Sequence, residues 1–495
     1  MALDLSKIIK AYDVRGLVPE ELSLEVARAI GTAFARVVVL PQATDDAGPA
    51  VVVGRDMRDS GPDLVDAFAA GLTAEGVDVI RIGLCSTDGL YHASGALGLP
   101  GAMFTASHNP AAYNGIKLCR SGARPVGQET GLAEIRELAQ EILDGSGAEP
   151  DETPDSGISA RGVVTDREML GEYSAFLRSL VDLSGARPLK VVVDAGNGMA
   201  GLTVPAVLGD AAGLPALPLE LVPLFFELDG SFPNHEANPL EPSNLIDLQA
   251  AVVANEADLG LAFDGDADRC FVVDERGGAV SPSAVTALVG LAEVTKELAA
   301  GRTPTVIHNL ITSRAVPDLL SAAGATTVRT RVGHSFIKAQ MAEHGAVFGG
   351  EHSAHYYFRD FWFADTGMLA ALHVLAALST QDHTMSELAE MFEPYVGSGE
   401  INSTVADAAA ATERVLDAYR AAYPGIVVDT LDGVTVSHWE SHPQWWFNLR
   451  ASNTEPLLRL NVEAADQDIM EKVRDDVLSL VREPADGLDE GEETS

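Results

Sequence analysis

Short β-branched runs alternate along this chain with stretches of amphipathic helical period: AVVVG precedes GPDLVDAFAAGLTAEG, LKVVVDA precedes GMAGLTVPAVLG, and PTVIHN precedes SRAVPDLLSAAG. A short apolar run followed by a 3.6-residue pattern marks a buried strand and the helix that covers it, so the sheets are expected to be mostly parallel with helices on their faces. A chain of 495 residues is too long for one ordinary core. Breaks rich in Gly, Pro, Ser or charge fall at 144–159, 274–283 and 393–401. They divide the chain into α/β units at 1–155, 156–276 and 277–394 and a smaller α+β unit at 395–485. The last differs because VTVSHWE, QWWFNLR and LLRLNVEA run close together before a single helix, DQDIMEKVRDDVLSLVR. The acidic residues 486–495 read as a disordered tail.

Composition limits what such a chain can meet. Its 33 basic residues stand against 73 acidic ones, a net charge of −40. A field of that sign repels nucleic acid and anionic membranes, and a phosphorylated ligand must find a local basic pocket. The acidity itself reads as a solvated surface suited to solubility or to a salty cytoplasm. No run of about 18 apolar residues occurs. The start, MALDLSKIIKAYDVRG, lacks the apolar stretch and cleavage site of a secretory signal, so a cytoplasmic chain is expected. Cys85, Cys119 and Cys270 are far apart and form no CxxC pair, which argues against a disulfide framework or a thiolate zinc site. They read as small buried hydrophobes.

Three apolar strands end abruptly in polar loops: GAMF in TASHNP, LGLAF in DGDADR, and GAVFG in GEHSAH. Ligands of open α/β sheets sit at the carboxyl ends of strands, so three such loops point to one shared cleft. DGDADR places Asp264, Asp266 and Asp268 at alternate positions, and carboxylates so close cannot all stay ionised without a cation. A hard divalent ion, Mg²⁺, is implied. An EF-hand reading would put Glu275 at its twelfth position. It fails because Arg269 stands where that loop needs glycine and because the flanks read as strands. RASNTEPLLR combines Arg450 and Arg459 with Ser452, Asn453 and Thr454 in and beside a turn, which suits an oxyanion such as phosphate.

Ser107 of TASHNP has a histidine, His108, at the very next position and no GxSxG elbow around it, which speaks against a serine hydrolase. A serine beside a Mg²⁺ triad and a phosphate-gripping loop suits phosphoryl transfer, with the serine carrying the group. GNGMAG at 196–201 matches the dinucleotide-binding pattern, with Glu220 near the expected spacing. A tight strand-to-helix turn is the better reading, since no second nicotinamide feature accompanies it.

Together, TASHNP, DGDADR, GEHSAH and RASNTEP resemble, in order and spacing, the four active-site loops of the α-D-phosphohexomutases, in particular the phosphomannomutase/phosphoglucomutase branch. The resemblance runs from KAYDVRG to the last helix. It implies three related α/β domains with mixed or parallel sheets and a C-terminal α+β domain closing over one cleft. It implies an isomerase that moves phosphate reversibly between C1 and C6 of a hexose, through a phosphoserine and a hexose 1,6-bisphosphate that turns over in the site and also serves as activator. Ser107 would carry the phosphate and share one Mg²⁺ per active site with Asp264, Asp266 and Asp268. Lys117 and Arg15 would serve proton transfer, with His108 in the same catalytic loop. Tyr12, Arg269, Gly333, His334, Glu351, Ser353 and His355 would meet the substrate, Glu351 and Ser353 through O3 and O4. Arg450, Ser452, Asn453, Thr454 and Arg459 would grip the non-reacting phosphate.

Contacts at O3 and O4 say little about C2, so both mannose and glucose phosphates are expected. The implied partners are hexose phosphates, with no nucleic acid and no membrane, for a monomer or weak homodimer. Two features bear on the alternatives. No lysine occurs near IHNLITSR before Arg314, where some relatives use one to touch the sugar. SNTEP in place of SGTEP separates the chain from phosphoglucosamine mutases. A non-catalytic sugar-phosphate-binding protein is the other alternative, and it has no use for Ser107, the three aspartates and Lys117.

Overall fold

In the computed structural model the valine-rich runs become the central strands of their sheets. Residues 4–10, 12–43, 48–145, 161–183, 185–451 and 457–482 are described. The expected tail and three of the expected phosphate contacts, Ser452, Asn453 and Thr454, lie outside them, as does the side chain of His334. Four sheets follow one another along the chain. In the first, Gly101–Phe104, Ala50–Arg55, Asp78–Leu84 and Val164–Asp166 run parallel, and Tyr113–Arg120 and Val14–Leu17 complete one side antiparallel. In the second, Leu259–Phe263, Leu189–Asp194 and Leu219–Leu224 are parallel. In the third, Thr326–Thr330, Thr305–Asn309 and Phe348–Gly350 are parallel. The fourth is antiparallel throughout, with Val396–Thr404 at one edge and the helices Ala408–Ala422 and Gln467–Arg482 alongside.

The sheets overrun two of the expected unit limits. Val164–Asp166 pairs with the first sheet, where Arg81 binds Asp166 at 2.8 Å, so that sheet continues past residue 155. Ala279–Val280 pairs with Cys270–Asp274 and extends the second sheet past 276. Both strands are too short to announce themselves by period in the sequence.

One device recurs in the first three sheets. A fully buried parallel strand (Gly101–Phe104, Leu259–Phe263 or Phe348–Gly350) runs into a polar loop, and the chain returns antiparallel beside it as Tyr113–Arg120, Cys270–Asp274 or Tyr356–Phe358. The loop is thus pinned at both ends by ladder hydrogen bonds rather than by a strand and a helix. The cysteines are free and buried, as read from the sequence. Among the described residues no helix is long and apolar enough to cross a membrane.

Among the described residues the three largest buried apolar clusters are one continuous through the second and third sheets, a second around Phe34, Phe68 and Phe104, and a third confined to the last sheet around Trp445, Phe447 and Val477. The first three sheets are tied at Ser86–Thr87–Asp88, the start of the helix Thr87–Leu97. The fully buried Asp88 accepts hydrogen bonds from Ser86, from Tyr173 Oη at 2.8 Å and from Thr366 Oγ1 at 2.6 Å, the last being the N-cap of the helix Gly367–Ser379. Thr87 Oγ1 donates to Asp266 at 2.6 Å.

Burial pushes the Asp88 carboxyl up to about 7, although its three hydroxyl donors pull the other way. An aspartate ordinarily near pH 4 that keeps its proton in the fold contributes stability fully present below that value and lost as pH rises through about 7. Asp88→Asn removes this titration. Between about pH 5 and 8 the thermal midpoint of the wild type is expected to fall a few degrees relative to the variant. Parallel curves would show that Asp88 does not titrate in that window.

Candidate active site

Ser107 sits in the loop between Gly101–Phe104 and Tyr113–Arg120, nearly buried, with a φ of 50°. A non-glycine residue in that region costs about 1–3 kcal/mol, and the surroundings hold it there. The buried Arg58 donates to four carbonyls of the loop: Ser107 at 3.1 Å, Asn109 at 2.6 Å, and Pro110 and Tyr113 both at 2.9 Å. Arg15, braced by Asp13 at 2.7 Å, donates to Ala106 O at 3.1 Å and to Asn109 Oδ1. Ser107 Oγ then donates to Asp264 Oδ2 at 2.8 Å, joining the first loop to the second. The approach is close enough that a Cβ on Gly265 would stand 2.5 Å from Ser107 O.

Asp264, Asp266 and Asp268 are all buried, and oxygens of the three lie within 4.8 Å of one another. Two cations face them. Lys117 Nζ donates to Asp266 at 2.7 Å and to Asp268 at 2.6 Å, and Arg269 binds Asp264 through Nε at 3.0 Å and Nη2 at 2.9 Å. Three carboxylates against two cations leave the cluster one positive charge short. Burial, aggravated by its two aspartate neighbours, pushes Asp264 up to about 8 in spite of Arg269. Burial acts the same way on Asp268, but the Lys117 ammonium outweighs it and holds that carboxyl at about 2. Asp266 Oδ1 and Asp268 Oδ1 have no hydrogen-bond partner among the described residues. Spare hard oxygens and a missing charge fit a divalent cation of the Mg²⁺ kind.

These contacts alter several expectations. Burial lowers Lys117, but Asp266 and Asp268 override it and hold the ammonium well above its ordinary value. His108 falls to about 2 through burial and the adjoining Arg269 and Arg15 guanidiniums. It is a neutral ring whose Nδ1 accepts from Arg269 Nη2 at 2.7 Å, which occupies the lone pair facing Ser107 Oγ at 3.3 Å. Arg269, expected at the substrate, is buried and committed to Asp264 and His108. Tyr12 stands at the rim, 40% exposed.

The third loop is stitched to the second by a bridge between Arg269 and His355. His355 Nε2 lies 3.8 Å from Asp268, and its Nδ1 lies 3.0 Å from Ser353 Oγ. Glu351 is 2% exposed and accepts from Tyr357 Oη at 2.5 Å, Asn309 Nδ2 at 3.0 Å and Gly333 N at 3.4 Å. Arg314 does not replace the absent lysine: it pairs with Asp318 at 2.8 Å and lies over Trp439. In the fourth sheet Arg450 and Arg459 face each other in register. Asp432 lies 3.8 Å from Arg450 and accepts from Val332 N at 3.1 Å, beside Gly333, which ties this sheet to the third.

Arg58, Asn309, Tyr357 and Asp432 were not singled out from the sequence. Arg58 had a signal: AVVVG is a fourth apolar strand ending in a polar loop, RDMRDSG. The glycines of GNGMAG serve packing. A Cβ on Gly198 would lie 2.7 Å from Gly265 O, and one on Gly201 would lie 2.2 Å from Phe226 O. Glu220 pairs with Lys190 at the opposite end of its strand from that turn. Glu275 is bound by Ser386 at 2.7 and 3.0 Å, which confirms that it is no EF-hand ligand.

A buried serine bound to one of three clustered carboxylates that could hold a metal ion, with a pair of arginines on the fourth sheet, suits phosphoryl transfer on an α/β scaffold. Sequence models of the phosphoglucomutase/phosphomannomutase family match in order: α/β/α domain I over residues 6–145, domain II over 171–278, domain III over 282–395 and the C-terminal domain over 400–480. The chain is 41% identical over 476 residues to the phosphohexose mutases of Xanthomonas campestris pv. campestris, covering 96% of this chain and 98% of that one. It is 38% identical over 477 residues to the phosphomannomutase of Escherichia coli K12, with the same coverage of both chains. The crystal structure of a phosphoglucomutase/phosphomannomutase family protein from Burkholderia thailandensis superposes with a TM-score of 0.80 at 32% identity, covering 96% of this chain and 97% of that one. The chain belongs to the phosphoglucomutase/phosphomannomutase family and is a phosphohexomutase, an enzyme of the isomerase class.

The charge deficit can be tested by thermal denaturation. MgCl₂ at about 100 times its dissociation constant is expected to stabilise the wild type by about 2.7 kcal/mol, and Asp266→Asn is expected to abolish that gain. A wild type indifferent to Mg²⁺ and Mn²⁺ would remove the metal assignment.

Proposed function

We propose that Ser107 carries the phosphoryl group between the 1- and 6-positions of mannose and glucose phosphates. The observation that carries this reading is the 2.8 Å bond from Ser107 Oγ to Asp264, one of three buried carboxylates whose oxygens lie within 4.8 Å of one another. Asp264, Asp266, Asp268 and the oxygen on Ser107 would hold Mg²⁺. Bound there, the ion supplies Lewis acidity, drawing charge from the phosphoryl oxygens and steadying the serine oxygen as it leaves.

The chain's own residues do the rest. The clamp of Arg58 and Arg15 fixes Ser107 in its strained conformation, so the phosphoryl group points out of the loop without searching. A free sugar hydroxyl attacks phosphorus, the P–O bond to Ser107 breaks, and the proton lost by the hydroxyl balances the one gained by Ser107 Oγ. Lys117, held as an ammonium, gives a proton to the Ser107 oxygen and recovers one from the attacking hydroxyl, with Arg15 beside the loop. Glu351, Ser353 and His355 meet the sugar hydroxyls, while Arg450 and Arg459 hold the phosphate that is not reacting. The resulting hexose 1,6-bisphosphate turns over and returns its other phosphate to Ser107. Because the core of the last sheet is separate from the others, that domain is free to close over the intermediate and open again.

Turnover of mannose 1-phosphate and glucose 1-phosphate with Mg²⁺ and a trace of hexose 1,6-bisphosphate tests the reading. Ser107→Ala is expected to lose at least about 10³-fold in kcat, as when a covalent nucleophile is removed, with little change in thermal midpoint. Retained turnover in that variant would refute the phosphoserine. The ratio of the two kcat/KM values names the preferred sugar.

A further inference from the structure

Arg450 and Arg459 stand directly opposite each other on the antiparallel strands Trp445–Ala451 and Leu457–Ala464. Like charges in that relation repel, so the pair is built around an anion. In this structure the anion is Glu400. One of its carboxylate oxygens lies 3.5 Å from Arg450 Nη2 and the other 3.5 Å from Arg459 Nη1. Glu400 arrives there on the strand Val396–Thr404, whose register against Leu457–Ala464 shifts between Gly397 and Glu400. An irregularity of this kind re-aims a side chain.

The contact is loose. Both distances exceed the roughly 2.7–2.9 Å of a charge-assisted hydrogen bond. Elsewhere in the same protein Glu297 takes Arg302 at 2.5 and 2.8 Å and Arg359 at 2.7 and 2.9 Å. Arg459 Nε is also buried without a hydrogen-bond partner among the described residues. A structural ion pair closes up as Glu297 does, whereas a carboxylate standing off two guanidiniums, with a donor still unused, is placed to be exchanged.

We propose that Glu400 is a specificity-determining residue of the anion site: its carboxylate occupies Arg450 and Arg459 until a more highly charged anion displaces it. The proposal rests on assigning those arginines to the non-reacting phosphate. A phosphate monoester carries about −1.5 to −2 charges and three acceptor oxygens near neutral pH, against one charge and two oxygens for a carboxylate. A hexose phosphate therefore exchanges with Glu400, and a hexuronic acid does not. Asp432, which accepts from Val332 N, stands farther off, 3.8 Å from Arg450 Nη1.

Glu400→Gln keeps the shape and removes the charge. The expected result is a fall of about 3–10-fold in KM for glucose 1-phosphate with kcat nearly unchanged, since a competing interaction in the free enzyme is lost. Inhibition by inorganic phosphate should tighten by a similar factor, and glucuronate, inert toward the wild type, should become a competitive inhibitor. An unchanged or raised KM overturns the proposal, because Glu400 would then be orienting the arginines. Glucuronate inhibiting the wild type as well as phosphate does would also overturn it. Glu400→Ser carries the same expectations if the first variant folds poorly. Arg459→Met separates the two ideas: if it leaves KM unchanged the phosphate assignment fails, and if it raises KM while Glu400→Gln does nothing, only the role of Glu400 fails.

Discussion

Three buried carboxylates held against two cations are the constraint on which the rest of this structure depends. Asp264, Asp266 and Asp268 come from one six-residue loop, but Lys117 reaches them from the return strand of another sheet. Burying charge is costly unless it is paired and hydrogen-bonded, so the first two domains cannot separate without exposing or unpairing these groups. The same pairing places the proposed phosphoryl carrier, since Ser107 Oγ finds its partner in Asp264. Stability of the joint and readiness for chemistry are here one arrangement of charge.

Neighbouring contacts extend that joint to the third domain. Thr87 binds Asp266 while Asp88, one residue on, accepts from Tyr173 and Thr366. A Cβ on Gly367 would lie 2.6 Å from the Arg269 backbone, so the helix that starts there abuts the carboxylate loop without space for a side chain. The fourth domain has no share in this network. It meets the third domain where Val332 N and Arg331 bind Asp432 and Leu431, where Arg314 N binds Glu463, and where Arg314 lies over Trp439, and its apolar core is its own. That division is what a site needs when its substrate must be gripped, turned and released.

The loops of the site were legible because each is a polar interruption at the end of an apolar strand, and such interruptions are carried by local sequence. Ser107 and the three aspartates could be named that way, the arginine pair by its guanidiniums beside a turn, and Glu351 only through the family resemblance. Partners from distant segments could not. Nothing near Arg58 in sequence says that its guanidinium will hold four carbonyls some fifty residues on. His108 was expected in the catalytic loop through the family resemblance, yet Arg269, 161 residues away, takes the ring nitrogen that faces Ser107. Glu220 had the right spacing for a cofactor contact, but it lies at the wrong end of its strand.

By itself the sequence determined the main strands, the helices that cover them, the four-domain organisation, the family and the candidate residues for chemistry. Each of these follows from period, from turn-forming residues or from a motif of a few positions. Tertiary structure alone decided the protonation of Lys117, the neutrality of His108, the raised carboxyl of Asp264 and the place of Glu400 between two arginines. The physical reason is that a pKa or an ion pair depends on burial and on charges within a few ångströms, and in this fold those neighbours come from other strands and other domains.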